Sequence, residues 1–366
     1  MGTFPFTHLH QVVVLMLSSR ATLIEVARLA GTSKTSVSRF FGPERDRLSA
    51  ALQARIDQAA KSLGYSPNQM ARGLKGSGSR LLGMLVADIR NPFSVAIVHG
   101  VEQAARAQGY SLIVCNTDND PELETRHLAS LSSYRVEGLI VNAAGQPERA
   151  LKAWAHNGIP LALIDRDVAN LDAETIGLDN ALAIDLALEH LMQRGYRAVL
   201  YVSEPPQLAS ARQERLQRFR QRVTSLGIQG ETLTSLDDPQ AASRLRGFVQ
   251  RHRQAPCAVL CANGNATLAM VRHFQHEAIS LGPVGLIGID ELEWCALVPP
   301  GITTLAQPTN AIGQAAVTSL LNQITRLTGP QAIEQPVQYR HAPTLIARGS
   351  THRQGLQTNT TTQDNT

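Results

Sequence analysis

The sequence predicts an all-α helix-turn-helix module followed by an α/β body of two similar lobes. Three observations lead to this prediction. The 366 residues exceed the roughly 150 residues of a single typical domain. Aromatic residues make up only 4% of the chain, and the hydrophobic 43% is mainly aliphatic, as in layered α/β proteins. Helical patterns occur between residues 22 and 63, whereas apolar runs alternate with helical patterns after Leu81.

Positive charge is concentrated at the start of the chain. Residues 1–80 contain eleven Lys or Arg against four Asp or Glu, a net +7, although the whole chain carries only +4. Residues 81–366 therefore carry a net −3. A locally basic helical module is typical of nucleic-acid binding, because neutralising phosphates releases counterions. By itself the pattern is equally consistent with a solvated face.

Two short helices separated by a glycine turn are predicted near the start of the basic segment. Thr22 and Glu25 form a capping box for the first helix, and Gly31 ends it. Ser33 caps the second helix, predicted over residues 34–41. The outward polar side chains of this helix are Lys34, Thr35, Ser38 and Arg39.

A third helix is predicted from about Ser49 to Leu63, with Gly64 as its stop. The side chains expected to face inward are Leu52, Ile56, Ala59 and Leu63. Three helices in this order make a helix-turn-helix, whose second helix fits the width of the DNA major groove.

The outward face of the second helix is therefore a candidate for reading DNA. Lys34, Thr35 and Arg39 are expected to meet base edges, whereas Ser33 and Ser36 suit phosphates near the helix N-terminus. Any small helical domain has polar outer faces, so the pattern alone also fits a structural role.

Seven continuous aliphatic runs predict buried parallel strands in βαβ units. They are residues 81–87, 112–115, 138–141, 161–164, 199–202, 258–261 and 284–289. Segments 107–114 and 192–199 both end a helix with Gly-Tyr before a strand. This internal echo implies two similar lobes.

Several segments carry a family resemblance, beginning with TLIEVARLAGTSKTSVSR at residues 22–39. The others are residues 63–68, 71–74, 81–86, 91–93, 136–140, 287–290 and 302–308. Together they resemble the LacI/GalR family of bacterial transcription regulators over about residues 21–348. The resemblance implies an all-α helix-turn-helix DNA-binding domain and an α/β two-lobed effector domain of the periplasmic-binding-protein type. The residues expected to contact DNA are Thr22, Ser33, Lys34, Thr35, Ser36, Ser38, Arg39, Asn68, Ala71 and Leu74.

Residues 67–79 are expected to form a hinge helix and linker. The resemblance implies that residues 68–75 order on operator DNA and that Leu74 wedges into the minor groove, which bends the duplex. The glycines at 73, 76 and 78 make such a helix marginal alone. The segment therefore also fits a flexible linker. Both interpretations hold if it is a linker in the free protein and a helix in the DNA-bound protein.

The predicted boundaries follow from these segments. They are a disordered extension at 1–20, the DNA-binding domain at 21–66, the hinge at 67–79, the effector-binding and dimerisation domain at 80–348, and a disordered tail at 349–366. The resemblance implies crossings between the lobes near residues 180, 306 and 336. The sequence leaves open whether the natural start is Met1 or Met16.

The cleft between the lobes is the expected ligand site, because ligands gather at the carboxyl ends of strands in such sheets. By resemblance, Phe93 lies on the first cleft loop and Arg215 matches a ligand-binding Arg of the family. The full set of expected effector contacts is Arg90, Phe93, Arg166, Arg215, Asn263, Asp290 and Trp294. Surface ion pairs for the arginines and core packing for Trp294 stay open as alternatives.

Two departures from the family pattern bear on the ligand. Asn263-Gly264 stands where Asn-Asp is usual, which removes a carboxylate that commonly grips a sugar hydroxyl, and Arg218 replaces a usual Gly. Losing an acid while the candidate arginines remain shifts the expected potential positive and favours an anion. We therefore expect a small sugar acid, 2-ketogluconate or gluconate, and the chain is most similar to the 2-ketogluconate-responsive repressors of the family. Whether the effector releases or promotes DNA binding stays open.

Enzyme signatures are missing from the sequence. No Gly-x-Gly-x-x-Gly, Walker A or Gly-x-Ser-x-Gly motif occurs, and the four Cys and eleven His have no metal-ligand spacing. We expect no catalysis, no cofactor and no metal. The expected partners are double-stranded operator DNA, the effector and a second copy of the chain in a homodimer, in the cytoplasm at the nucleoid. The alternative is a solute-binding receptor without a DNA role, which would need an export signal and would leave residues 22–74 unexplained.

Overall fold

The structure is a computed structural model that describes residues 21–42, 44–66, 78–143, 148–236, 239–327 and 338–353. The chain forms two compact units, one up to Ser79 and the other from Arg80 onward. The predicted N-terminal extension, residues 67–77 of the predicted hinge and residues 354–366 of the predicted tail lie outside the described residues.

The first unit contains three helices, α1 (Leu23–Leu29), α2 (Lys34–Phe40) and α3 (Ala50–Ser62). Their apolar side chains recur at helical spacing and meet in one small core. Its buried members are Val26, Ala27, Ala30, Val37, Phe40, Ile56, Ala59 and Ala60. The helix-turn-helix prediction is confirmed in this unit.

The turn between α1 and α2 is held from α3. Gly31 has a φ of 59°, in the left-handed region that glycine adopts without strain. Arg55 donates from Nε to the carbonyl of Ala30 and from Nη2 to that of Gly31, each at 3.1 Å. One guanidinium therefore satisfies two carbonyls that the end of α1 leaves without helical partners.

The prediction that Leu63 faces inward is wrong, because its side chain is 37% exposed at the C-cap of α3. The helix ends at Ser62, and Gly64, with a φ of 59°, turns the chain away from the helix axis. The ring of Tyr65 then packs against Phe41, with 5.4 Å between the ring centroids. Tyr65 therefore covers the end of the core that Leu63 was expected to cover.

The second unit begins with the first lobe. Its elements in chain order are β1 (Leu81–Val86), α4 (Pro92–Ala107), β2 (Ser111–Asn116), α5 (Pro121–Ser133), β3 (Gly138–Val141), α6 (Glu148–His156), β4 (Leu161–Ile164) and β5 (Glu174–Leu178). The strands pair in parallel, and aliphatic clusters cover both faces of their sheet.

The second lobe repeats this alternation of strands and helices. Its elements are α7 (Asn180–Gln193), β6 (Ala198–Val202), α8 (Ser210–Leu226), β7 (Gln229–Leu233), α9 (Ala241–Arg251), β8 (Cys257–Cys261), α10 (Gly264–His276), β9 (Gly285–Ile289), α11 (Glu293–Leu297) and β10 (Thr303–Ala306). Buried apolar clusters again lie on both sheet faces.

The end of the chain completes both sheets. Helix α12 (Thr309–Leu327) packs on α4, β11 (Gln338–His341) pairs in parallel with β5, and β12 (Thr344–Ile346) pairs antiparallel with β10. The strand orders are β11-β5-β4-β3-β1-β2 and β12-β10-β9-β8-β6-β7. The described chain thus passes between the lobes at residues 179, 307–308 and 342–343. The last passage lies beyond the expected position near 336, because β11 first extends the sheet of the first lobe.

Part of the predicted disordered tail is packed into the second lobe. Residues Gly349–Thr351 form a 3₁₀ turn in which Ser350 and Thr351 are buried. Ser350 Oγ donates to the carbonyl of Leu286 at 2.6 Å and accepts from the amide of Thr303 at 2.8 Å. The boundary predicted at 348 is therefore too early, because these buried polar groups find partners on neighbouring strands.

Candidate nucleic-acid interface and ligand cleft

Helix α2 presents a basic, polar face to solvent in the first unit. Lys34, Thr35 and Arg39 are exposed, whereas Val37 and Phe40 pack into the core. An ammonium, a hydroxyl and a guanidinium on one short helix can donate to phosphate oxygens or to base edges in the major groove. The three residues predicted to contact bases therefore lie on an exposed face of α2.

Three of the hydroxyls predicted to contact DNA, those of Thr22, Ser33 and Ser36, are engaged in or beside helix caps. Ser33 Oγ accepts from the amide of Ser36 at 3.1 Å and lies 3.0 Å from Ser36 Oγ. Thr22 and Glu25 form the predicted capping box, in which the Thr22 amide donates to Glu25 Oε2 at 2.6 Å. Ser38 is half-buried on α2. Asn68, Ala71 and Leu74 lie outside the described residues.

Arg39 has an acidic partner that the sequence patterns did not indicate. Its Nε donates to Glu44 Oε2 at 3.2 Å, and the other carboxylate oxygen of Glu44 lies 2.8 Å from Arg47 Nη1. The Arg39 and Glu44 side chains are 46% and 42% exposed, so the pair contributes little to stability. Its main effect is to reduce the positive charge beside α2.

A cavity of about 410 Å³, including the part that is open to solvent, lies where strand ends of the two lobes meet. Its lining residues are Asn91, Phe93, Ser94, Asn142, Asp165, Arg166, Ala209, Ala211, Arg212, Arg215, Asn263, Asp290 and Gln307. The cavity brings together five of the predicted effector contacts, Phe93, Arg166, Arg215, Asn263 and Asp290. Its several convergent polar groups are typical of small-molecule sites.

Arg215 projects into the cavity from helix α8 and is 4% exposed. Its Nε donates to Asn180 Oδ1 and its Nη1 to the carbonyl of Ala262, each at 2.7 Å. Its Nη2 lies 3.9 Å from Asp165 Oδ1. Fixed partners on two other elements therefore hold this guanidinium in place before any ligand arrives.

Asp290 follows strand β9 and is 5% exposed. Its Oδ2 accepts from the amide of Gly264 at 2.9 Å, and its Oδ1 accepts from Gln307 Nε2 at 2.6 Å. Burial raises the pKa of the Asp290 carboxyl, although Arg215 and both hydrogen bonds act in the opposite direction. The sequence argument for a positive cleft counted neither this carboxyl nor that of Asp165.

Arg166 follows strand β4 and is 7% exposed. Its Nη1 donates to the carbonyl of Ala143 at 2.7 Å and to Asn119 Oδ1 at 3.2 Å. Burial lowers the pKa of the Arg166 guanidinium, the charge of Asp165 acts in the opposite direction, and the charge of Arg212 lowers the pKa further. Arg166 is thus a buried cation that neutral acceptors hold in the cavity wall.

Two predicted effector contacts do not line the cavity. The Arg90 side chain is 76% exposed, and its Nε donates to Asp88 Oδ1 at 2.9 Å. A second carboxylate, Asp118, lies 3.7 Å from Arg90 Nη2. Trp294 is half-buried on α11, where it packs against the apolar cluster of the second lobe. Arg90 is therefore in a surface ion pair and Trp294 packs against the core, which are the alternatives given for these residues in the sequence analysis.

Six polar lining residues were absent from the predicted set: Asn91, Ser94, Asn142, Asp165, Arg212 and Gln307. Position alone could have indicated two of them, since Asn142 and Asp165 directly follow the predicted strands β3 and β4. Arg212 lies one helical turn before Arg215 on α8, so the same helix face was a usable signal. Gln307 follows β10, a strand that the apolar runs did not reveal.

Across the described ranges, no group of three or more His, Cys, Asp or Glu side chains is placed to hold a metal ion. None of the helices in those ranges has the length and apolar character needed to span a membrane.

A curated bacterial regulator is similar to this chain over most of its length. The HTH-type transcriptional regulator PtxS of Pseudomonas aeruginosa is 47% identical over 347 residues, which cover 93% of this chain and 99% of the relative. The family model described as bacterial regulatory proteins, lacI family, matches residues 22–68. The chain belongs to the LacI family. A second model, of a periplasmic binding protein-like domain, matches residues 188–351 of this LacI-family chain.

More distant relatives agree with this assignment. The HTH-type transcriptional regulator KdgR of Bacillus subtilis is 36% identical over 323 residues, covering 87% of this chain and 95% of the relative. The Ribose operon repressor of Escherichia coli is 30% identical over 336 residues, covering 90% and 99%. These relatives are named as regulators, so this LacI-family chain is a DNA-binding transcription regulator and not an enzyme.

Solved structures show the same fold. The Lac repressor bound to ONPG in the repressed state has a TM-score of 0.78 at 24% identity, covering 91% of this chain and 100% of that chain. The Lac repressor dimer bound to operator and the anti-inducer ONPF has a TM-score of 0.77 at 24% identity, with the same coverage. The predicted fold class and family resemblance are confirmed.

Proposed function

We propose that the chain is a repressor of a sugar-acid catabolic operon, and that a small anionic sugar acid bound in the cleft controls its affinity for operator DNA. The best candidates are 2-ketogluconate and gluconate. The observation that carries the proposal is the composition of the cavity, in which three guanidiniums face two carboxyls. A third carboxylate, Glu204, pairs with Arg212 from behind the lining, so a carboxylate ligand would bind the guanidinium donors that the carboxylates of the protein leave unused.

The polar groups of the cavity also suit a hydroxylated carbon chain. Carboxyl, amide and guanidinium groups supply acceptors and donors in a small space, as recognition of several adjacent hydroxyls requires. The name of the Escherichia coli Ribose operon repressor supports a sugar-related effector, since that relative covers 90% of this chain. A neutral sugar remains the competing ligand class, favoured by the carboxyls of Asp165 and Asp290.

We further propose that two copies of the chain read two half-sites of a near-palindromic operator in the cytoplasm, at the nucleoid. The solved Lac repressor dimer on its operator supports this assembly by analogy of fold. The domain limits proposed are 21–66 for DNA reading, 67–79 for the hinge and 80 onward for effector binding and dimerisation. Leu74 remains the proposed minor-groove wedge, with Asn68 and Ala71 beside it.

Effector binding and DNA binding would be coupled through the effector unit. Closure of the cleft would change the arrangement of two paired chains and so the free energy of ordering the hinge on DNA. Coupling of about 1 to 3 kcal/mol is typical, which corresponds to about a 5- to 150-fold change in operator affinity.

Genomic fragment selection followed by fluorescence anisotropy tests the proposal with purified full-length protein. The selected operator should bind far more tightly than bulk competitor DNA, and 2-ketogluconate or gluconate should change that affinity by at least about fivefold. Fructose and glucitol serve as neutral controls, because they differ from the two acids at the carboxyl carbon. Tight binding of a neutral sugar with no response to either acid would overturn the charge argument. A lack of preference for any fragment under every compound would overturn the DNA role.

A further inference from the structure

The cavity has two chemically different ends, and the inference drawn from them rests on the proposed sugar-acid effector. Arg215 lies among carboxyls at one end, because Asp165 Oδ1 is 3.9 Å from its Nη2 and its charge acts on Asp290. Arg166 and Arg212 mark the other end, where the charges of Asp165, Arg212 and Glu204 act on Arg166. Carboxyls near Arg215 leave that end close to neutral.

Arg215 is poorly suited to be the main carboxylate receptor. Two of its donors are already committed to Asn180 and Ala262 at 2.7 Å each. A ligand carboxylate placed beside it would also approach the carboxyls of Asp165 and Asp290, and like charges at short range repel. The same carboxyls and guanidinium are well suited to hydroxyl groups, which donate and accept at once.

Gln307 adds an acceptor at the end with Arg215. Its Nε2 donates to Asp290, while its Oε1 is buried without a hydrogen-bond partner among the described residues. A buried unpaired acceptor costs free energy unless a donor reaches it. A ligand hydroxyl would supply that donor, whereas a ligand carboxylate would not.

Arg212 differs from Arg215 in its surroundings. Its side chain is 12% exposed, and its Nη2 lies 2.9 Å from Glu204 Oε2. Its Nη1 reaches the carbonyl of Pro205 only at 3.4 Å. Glu204 also accepts from Asn263 Nδ2, so one carboxylate orients Arg212 and an amide of the cavity wall together. The remaining donors of Arg212 are uncommitted among the described residues.

Arg166 supplies a second unsatisfied donor at the same end. Its Nε is buried and has no hydrogen-bond partner among the described residues. Within the same residues, no carboxylate lies within 4.0 Å of its guanidinium, although its side chain is more than nine-tenths buried. The charges of Asp165, Glu204 and Glu124 act on it only from beyond that distance, so an anionic ligand group would be the first to pair with it directly.

We propose that Arg212, oriented by Glu204, and Arg166 together bind the carboxylate of the effector, while Arg215, Asp165, Asp290 and Gln307 bind its hydroxyls. Arg212 is then the residue that makes the cleft specific for a sugar acid over the corresponding neutral sugar. Glu204 is a positioning residue, because it acts on the ligand only through Arg212 and Asn263.

Isothermal titration of the full-length protein with two matched ligand pairs tests this assignment. 2-Ketogluconate and fructose differ only in the carboxylate against a hydroxymethyl group at C1, and gluconate and glucitol differ in the same way. Arg212→Gln should weaken binding of the acid by about 10- to 100-fold, the range expected for a hydrogen bond to a charged group. Binding of the neutral partner should change by less than about threefold. Arg212→Lys, which keeps the charge and loses the fork, should fall between wild type and Arg212→Gln.

Arg220→Gln is the matched control, because Arg220 lies on the same helix and is exposed. It should leave both ligands of each pair unchanged. Thermal melting of every variant shows whether it is folded, and Arg212→Lys keeps the test informative if Arg212→Gln is not. An equal loss of acid and neutral sugar, or an unchanged acid preference, would overturn the role of Arg212 alone. A wild-type protein that prefers neither acid over its neutral partner would overturn the sugar-acid effector itself, and this assignment with it.

Discussion

Asp165 and Asp290 occupy equivalent places in the two lobes. Asp165 directly follows β4 and Asp290 directly follows β9, and each of these strands is fourth from the corresponding edge of its sheet. Both residues have a φ in the left-handed region, 65° and 84°. This conformation turns each chain out of its strand and leaves both carboxyls in the cavity lining. The two similar lobes therefore each contribute one carboxyl to the same ligand site.

Asp290→Asn should weaken effector binding and stabilise the free protein. Binding should fall by about 10- to 100-fold, because a hydrogen bond to a charged group is lost. Stability should rise at neutral pH, since burial raises the pKa of this carboxyl and its ionised form is disfavoured in the folded state. An Asn oxygen can still accept from the amide of Gly264. Calorimetric titration and thermal melting measure the two effects.

The pH dependence separates this electrostatic cause from simple repacking. A folded-state pKa above the unfolded value of about 4 means that wild type loses stability as the pH rises from 4 through the folded pKa. The advantage of Asp290→Asn should therefore be complete above the folded pKa and should shrink as the pH falls toward 4. An advantage of the same size at pH 4 and pH 8 would show that ionisation is not its source.

Gly313→Ala should destabilise the effector unit by about 1 to 3 kcal/mol, the usual cost of overpacking. A Cβ at Gly313 on α12 would lie 2.6 Å from the Gly100 carbonyl carbon and 2.6 Å from the Val101 amide on α4. Backbone atoms cannot move aside as a side chain can. Urea denaturation of the purified protein measures the change in the free energy of unfolding.

Gly247→Ala provides the contrasting control inside α9. Its Cβ would meet only the end of the flexible Arg251 side chain, at 3.2 Å. This variant should gain up to about 1 kcal/mol from helix propensity. If both variants gained stability, the close approach of α4 and α12 would not be the constraint on Gly313.

Glu44→Gln should raise the affinity for non-specific duplex DNA by about 2- to 5-fold. The reason is that Glu44 pairs with both Arg39 and Arg47, and an exposed pair is worth about 0.5 to 1 kcal/mol. Fluorescence anisotropy with a random duplex at several salt concentrations measures the effect. The gain should shrink as salt rises, because salt screens exposed charges.

Asp57→Asn is the control for Glu44→Gln, since it removes the same charge from an exposed pair with Lys61 on α3. Its effect on non-specific affinity should be smaller. A lower affinity of Glu44→Gln for non-specific DNA would instead mean that Glu44 holds Arg39 in its binding geometry.

Lys34→Ala should relax base preference at one operator position by about 1 to 3 kcal/mol, because Lys34 is exposed on the outward face of α2. Binding to a set of single-base operator variants measures the preference. Lys61→Ala, which removes a cation from α3, should weaken all of these operators to a similar extent or not at all. If Lys34→Ala kept the base preference of the wild type, Lys34 would not be a base-contacting residue.

Local chemistry let the sequence predict much of the fold. Capping at Thr22 and Ser33, the stops at Gly31 and Gly64, and helical spacing of apolar residues fixed three helices, because each signal acts within one or two turns. Continuous aliphatic runs indicated buried strands such as β3 and β4 for the same reason. Strand β7 was not predicted, because its edge position leaves Gln229 and Gly230 exposed and its sequence contains no apolar run.

Only the tertiary structure decided which side chains share the ligand site. Arg212 lies 46 positions after Arg166, and no local pattern indicates that the start of its helix and the end of strand β4 meet at one cavity. The packing of Ser350 against Leu286 likewise depends on partners 64 positions away. Backbone propensity acts over a few residues, whereas a site is the meeting of strand ends, and that meeting is fixed by how whole sheets pack and connect.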